Sequence, residues 1–309
     1  MGALIKIEGK PIEKLIEVVS NAIGSLYEPR QIIRKAKAEA KAESIHTIEQ
    51  AKTKAIIDGD TEKAQYLETI NERLINKEAK RQKNIENVVS IAGNVLQTED
   101  KVSDEPIHPD WVTRFFDIAQ DVSDNDMQLL WGQILAGEIK QPKSYSLRTL
   151  EILRNMSKDE AELFQKVAQF SLSQGDMFLL SEDDVLGKFG ISYSNIAKLI
   201  EIGLLQPGDF VQRQYQSDKI HDIKNSIIYG DILINIRQKA NSQNICIPIR
   251  LFTTPGKELS KLVNFVPNME YITIIANSIK NANVSVSYAK IIGFHKDGSH
   301  VYTLAETKL

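Results

Sequence analysis

Leu130-Trp131-Gly132-Gln133-Ile134-Leu135-Ala136-Gly137-Glu138-Ile139-Lys140-Gln141-Pro142-Lys143-Ser144-Tyr145-Ser146-Leu147-Arg148-Thr149-Leu150-Glu151-Ile152-Leu153 sets glycines, a proline, a carboxylate, hydroxyls and an arginine between two apolar-periodic runs. The stretch is either a joint between helices or a pocket. As a joint it reads completely. Met127, Leu130, Trp131, Ile134 and Leu135 form the inward set of one helix. Gly137 and Pro142 stop that helix, and Ser144 or Ser146 caps the next, which presents Leu147, Leu150, Leu153 and Met156. As a pocket it makes Glu138 a base, Ser144, Tyr145 or Ser146 a nucleophile or binding hydroxyl, and Arg148 an anion holder. No spacing demands that chemistry, so the joint is expected and Glu138, Tyr145 and Arg148 stand as possible binding residues.

Outward from this stretch the pattern stays helical. Trp111, Phe115, Ile118, Ala119 and Val122 mark a helix opening near Pro109, and Ser123-Asp124-Asn125-Asp126 closes it and caps its successor. Ser157-Lys158-Asp159-Glu160 is a capping-box pattern ahead of Ala161, Phe164, Val167 and Ala168. Asp121, Asp124 and Asp126 lack the fixed glycine and closing glutamate of a calcium loop.

Upstream, Ile12, Leu15, Ile16, Val19, Ile23 and Leu26 recur at three- and four-residue steps, an amphipathic helix. Pro29 interrupts it, Arg30 to Ala55 continues in strong helix formers, and Asp58-Gly59-Asp60 is a helix break. Leu67, Ile70, Leu74, Ile85 and Val88 then lie near heptad spacing in a long run, so a stalk is expected that hides narrow seams in an antiparallel hairpin or against another subunit. The first stripe with Arg30, Arg34, Lys35, Lys37 and Lys41 is an alternative membrane-surface element, although its own polar face is mixed. Thr98 to Pro109, acidic and with two prolines, reads as a linker.

Asp126-Met127-Gln128, Leu130-Trp131-Gly132, Ile134-Leu135-Ala136-Gly137-Glu138 and Pro142-x-Ser144-Tyr145-Ser146-x-Arg148-Thr149-Leu150 together resemble the signature of an uncharacterised bacterial family, domain of unknown function 2806. Thr254-Pro255-Gly256-Lys257-Glu258-Leu259 is similar to its later Leu-Thr-x-x-Gly-x-Glu-Leu element, with Phe252 and Pro255 departing from it. The resemblance implies a bacterial protein without an assigned activity, loosely associated with abortive-infection proteins used against phage. It transfers no catalytic residue.

Downstream, a short helix over Ser181 to Gly187, a turn at Ile191-Ser192, a second helix over Tyr193 to Ile202 and two paired strands (Ser226 to Arg237 with Ile245 to Phe252) follow the order of a winged helix-turn-helix. Tyr193, Asn195 and Lys198 are then the outward candidates for DNA, a thin basic surface opposed by Glu201. A helix near Thr254 to Val263, another from Asn268 to Asn281, and a hairpin around Lys296-Asp297-Gly298-Ser299 complete the chain. His295 and His300 flank that turn without a third ligand, so no metal is expected.

Composition narrows the classes. The 309 residues carry a net charge of −3, which removes a general polyanion binder, and a single cysteine, Cys246, which removes a disulfide framework and suits a cytoplasmic setting. Met1 to Lys10 has no leader-like pattern, and no run approaches a membrane span. The expected fold is mainly α: a long-helix stalk or oligomerisation region over 1–98, an acidic linker over 99–109, a helical domain over 110–175, a winged-helix-like α+β module over 176–265, and a helix plus β-hairpin over 266–309. The expected function is that of a non-catalytic, cofactor-free scaffold or sensor in anti-phage defence. It forms a homo-oligomer through Ile12, Leu15, Ile16, Val19, Ile23, Leu67, Ile70, Leu74, Ile85 and Val88, and binds a protein partner. A DNA-binding regulator is the alternative, and an enzyme centred on Glu138 ranks last because phosphate-loop, zinc-protease and hydrolase signatures do not occur.

Overall fold

The structure, a computed structural model, describes residues 9–23, 47–181, 183–208, 211–294, 300–303 and 307–309. The basic residues Arg30 to Lys41, Leu26, His295 and the 296–299 turn lie outside them. The chain divides into two compact units, Met1–Leu150 and Glu151–Leu309.

The first unit is helical. It comprises α1 (Lys10–Ile23), α2 (residues 47–57), α3 (Thr61–Leu96), α4 (Pro109–Ala119) and α5 (Asn125–Lys140), with α6 (Leu147–Asn155) crossing the unit boundary. Asp60 caps α3 by accepting from the Lys63 amide at 3.0 Å, and Asp124 caps α5 by accepting from the Asp126 and Met127 amides at 3.0 Å. Pro109 opens α4 as the sequence predicts. The principal packing is α3 against α5. Ile85, Val88, Val89, Ala92 and Leu96 of α3 are buried, as are Trp131, Ile134 and Leu135 of α5. Phe115 of α4 stacks on Trp111 at 5.0 Å and meets Trp131 edge-on at 5.2 Å. Leu15 of α1 lies over Gly93 of α3, and α1 contacts α3, α4 and α5.

The 99–109 segment is strapped to this body. Ser103 N–H donates to Lys140 O at 3.0 Å, Lys140 pairs with Glu99 at 2.6 Å and Lys143 with Glu105 at 2.5 Å.

The second unit corrects the expected fold class. It is a mixed α+β body built on a sheet with nine strands among the described residues, neither mainly α nor a winged helix. Its helices are α7 (Lys158–Ala168), α8 (Asp183–Gly187), α9 (Tyr193–Ile202), α10 (Thr254–Ser260) and α11 (Met269–Ile279). Its strands are β1 (Leu172–Gln174), β2 (Asp176–Leu180), β3 (Gln212–Tyr215), β4 (Ile223–Tyr229), β5 (Ile232–Gln238), β6 (Ile245–Leu251), β7 (Val284–Phe294), β8 (His300–Tyr302) and β9 (Thr307–Lys308). All pairings are antiparallel, in the order β3-β6-β2-β1-β4-β5-β7-β8, with β9 also on β7.

Two local reasons overturn the wing. Ser226 to Arg237 is not one strand, because Gly230-Asp231 turns it into the β4–β5 hairpin, with Tyr229 opposite Ile232. Gly230 sits at φ +59°, and a Cβ there would lie 2.2 Å from the Phe265 ring, so both conformation and space require glycine. β6 then pairs with β2 and β3 and not with its sequence neighbour β5. A wing needs a peripheral hairpin, whereas β4 and β5 occupy the middle of the sheet. An aromatic cluster of Phe170, Phe189, Tyr229, Phe265 and Tyr271 supports it. Tyr271 Oη donates to Phe170 O at 3.1 Å.

Candidate functional site

The α5–α6 joint positions the side chains that the sequence offered for chemistry. Glu138 stands in the last turn of α5 and is 2% exposed. One of its oxygens accepts from the Lys143 amide at 2.6 Å and the other from the Tyr145 amide at 3.0 Å. A buried carboxylate held this way gives the returning loop its shape, including Lys143 at φ +69°, a left-handed conformation uncommon for a lysine. Tyr145 O in turn accepts from Trp111 Nε1 at 2.8 Å. The Tyr145 ring lies against Gly137, where a Cβ would approach its Cε2 to 2.8 Å.

The hydroxyls are engaged locally as well. Ser144 donates to Gln141 O at 2.7 Å, and Ser146 and Thr149 bond through their hydroxyls at 3.1 Å. Arg148 is exposed on α6 while Glu138 is buried, so the two do not share an open site.

The preceding half of the signature fastens α5 to α3. A Cβ on Gly132 would lie 2.4 Å from Ile91 Cγ2 and 3.0 Å from Val88 O, so the helices cross at a distance only glycine permits. One turn earlier, the buried Gln128 donates to Asn84 Oδ1 at 3.1 Å and to Val122 O at 2.9 Å, and accepts from Asn87 Nδ2 at 3.0 Å. Asn84 extends the network to Gln120 O at 2.8 Å. These bonds fix the register of α3 on α5. The sequence offered no role for Gln128, Asn84 and Asn87. Their signal was a polar residue on the apolar face of each helix.

The later element behaves alike. Thr253 caps α10 and donates to Gly203 O at 2.6 Å. A Cβ on Gly256 would lie 2.1 Å from Leu204 O.

The recognition-helix candidates are distributed differently from a DNA reader. Asn195 accepts from the Ser192 amide at 2.9 Å within the capping box of α9, Lys198 pairs with Glu160 at 3.6 Å, and Tyr193 is exposed. Of the oligomerisation candidates, Ile12, Leu15, Val19, Ile85 and Val88 are buried within the protomer. Ile16, Leu67 and Ile70 are half-buried and Leu74 is 39% exposed, while the side chain of Ile23 lies outside the described residues.

A groove of about 450 Å³ runs between α1 and residues 103–113, floored by Val18, Ile107 and Val112. Its cations are tethered: Lys14 Nζ donates to Ser103 O and Glu105 O at 2.7 Å, and Lys10 pairs with Asp104. Burial pushes the Lys14 ammonium below its ordinary pKa against the pull of Asp104, Glu17 and Glu105. Among the described residues no group of three or more His, Cys, Asp or Glu is placed to hold a metal, and no helix is long and apolar enough to cross a membrane.

No curated protein and no solved structure matches the chain. Residues 68–276, from α3 to α11, match the family model described as protein of unknown function (DUF2806). That span covers about two thirds of the sequence and includes the signature helix α5, its loop and the Thr253–Leu259 element, so the chain belongs to the DUF2806 family.

Proposed function

We propose that the protein is a non-catalytic bacterial scaffold that self-associates through the free end of its long helical hairpin and binds another macromolecule. The observation that carries this reading is the unequal burial of α3. The helix is roughly 54 Å long at 1.5 Å per residue over its 36 residues. From Asn84 to Leu96 it buries seven residues, but from Thr61 to Lys83 only Ala64 and Asn71. Tyr66 is 67% exposed, Leu74 follows two turns later, and Ile56 and Ile57 of α2 are exposed beside the hairpin turn. The Thr61–Lys83 half buries few of its own residues, whereas the apolar residues exposed along it gain by meeting another chain.

The occupied state of Glu138 supports the absence of catalysis at the signature, because a base must reach a substrate and this carboxylate is closed in by backbone amides. A setting in anti-phage defence extends the loose association of the family with abortive-infection proteins and rests on no matched motif, and the single cysteine supports a cytoplasmic setting. The test is the solution mass of the full chain across a concentration series, beside an Ile70→Glu, Leu74→Glu double variant. The wild type is expected above one protomer mass and the variant at one, with unchanged tryptophan emission. A wild-type monomer at every concentration contradicts the proposal.

A further inference from the structure

The scaffold proposed above has no surface assigned to its partner, and the first unit carries one. The groove of about 450 Å³ lies between α1 and residues 103–113. Lys10, Glu13, Lys14, Glu17, Asn21 and Ala22 line it from α1 at three- and four-residue steps, so one stripe of the helix forms the whole wall. That stripe differs from the one α1 buries, which is Ile12, Leu15 and Val19. The opposite wall is held before any partner arrives. Pro106 and Pro109 stiffen it, and Ser103 N–H ties it to Lys140 O at 3.0 Å. A preformed wall spares a partner the cost of ordering it.

The floor of Val18, Ile107 and Val112 is apolar, and the exposed Pro106 and Pro109 continue that surface outward. Both ammonium groups of the lining are already committed. Lys10 pairs with Asp104, and Lys14 Nζ donates to Ser103 O and Glu105 O at 2.7 Å. Glu13 and Glu17 are exposed, and among the described residues neither side chain makes a hydrogen bond or an ion pair; Glu17 only lies in the field of Lys14. The two carboxylates stand one helical turn apart, about 6 Å, on the same stripe. A cationic partner thus finds two open acceptors, whereas an anionic one finds the cations taken.

We propose that this groove docks a basic amphipathic helix of a partner protein, with its apolar ridge on Val18, Ile107 and Val112 and with lysine or arginine side chains one turn apart on Glu13 and Glu17. From Lys10 to Ala22 the α1 wall is about 18 Å long at 1.5 Å per residue, which matches a partner helix of about 12 residues. Spread over that length, the groove has a section of about 25 Å², roughly a third of that of a helix about 10 Å across. One ridge of side chains therefore enters and the helix body stays outside, the way a helix reads a groove through anchors three and four residues apart. The site deepens the partner-binding half of the scaffold reading and rests on it, but it uses no residue of α3.

The test uses the full chain and a labelled synthetic peptide of leucine and lysine in helical period, followed by fluorescence anisotropy at constant ionic strength. Saturable binding of one peptide per protomer is expected, and none of a version with serine for leucine or with glutamate for lysine. The Glu13→Gln, Glu17→Gln double variant is expected to bind roughly three- to tenfold more weakly, the worth of two exposed ion pairs. Thr113→Trp, at an exposed position on the α4 wall, fills the groove and is expected to remove binding while the far-ultraviolet circular dichroism stays unchanged. The Ile70→Glu, Leu74→Glu variant, which tests self-association, is expected to bind as the wild type does, so a failed scaffold and a failed groove give different results. Loss of binding in that variant places the peptide on the stalk and overturns the proposal. So does a wild-type chain that binds nothing, equal binding of either control peptide, or undiminished binding by Thr113→Trp or by the glutamine double variant.

Discussion

Replacing Glu138 by alanine separates an architectural carboxylate from a chemical one. The change strands the Tyr145 amide, which is buried and has no route to water, at about 1–3 kcal/mol. It also frees the neighbouring loop from the contact that holds Lys143 at positive φ, adding about 1 kcal/mol, and leaves a void the size of the side chain. Relief of the carboxylate's own desolvation offsets part of this. The net expectation is a loss of about 2–4 kcal/mol, enough to move a urea midpoint clearly at the slopes usual for domains of this size. The readout is unusually local, because both tryptophans, Trp111 and Trp131, lie in the first unit and the first of them bonds to Tyr145. Tryptophan emission therefore follows that unit's unfolding. Arg148→Ala, at an exposed site on α6, is expected to stay within about 0.5 kcal/mol of wild type. Unchanged stability in Glu138→Ala would refute the reasoning and return Glu138 to the list of candidate bases.

Gly132→Ala is expected to cost about 1–3 kcal/mol by the same assay, since the new methyl meets Ile91 Cβ at 2.6 Å and Val88 O at 3.0 Å, and Ile91→Ala should restore part of the loss. In the second unit, Gly256→Ala forces the start of α10 away from Leu204 O and is expected to lower the circular-dichroism midpoint, despite alanine's better helix propensity. Arg81 holds Asp121 through paired bonds of 2.7 and 2.9 Å, keeping its carboxyl below the ordinary carboxylate range. A depressed folded-state pKa stabilises above the unfolded value and fades as pH falls through the folded one. Asp121→Asn should therefore destabilise at neutral pH by no more than about 1 kcal/mol, given its exposure, and the difference should shrink below about pH 4 in acid denaturation curves.

Much of the helical structure was legible because its signals are local. The Pro109 start and the Asp124 cap in the first unit and the Ser157–Glu160 capping box of α7 in the second all operate within one turn of the residues that announce them. The β7–β8 pairing was visible for the same reason. The sheet was not, because strand partners are chosen by contacts far apart in sequence. β6 reads as a natural mate for β5 until β2, some 70 residues earlier, is found beside it. Gly230-Asp231 was a readable turn signal hidden by the isoleucines on both sides. β1 and β2, three and five residues long around Gly175, fall below the length at which alternation shows. At the signature, the joint could be read from Gly137, Pro142 and the serines. That Glu138 closes onto two amides, and that Gly132 sets a helix crossing, depends on neighbours that only the fold supplies.

Amide hydrogen exchange at Tyr145 tests most directly whether Glu138 is part of the scaffold. With Glu138 in place the Tyr145 amide is expected to exchange slowly, at a rate set by opening of the whole unit, and Glu138→Gln should accelerate it while amides in the middle of α3 keep their protection. Fast exchange at Tyr145 in the wild-type chain, or the same slow rate in both, would contradict the claim.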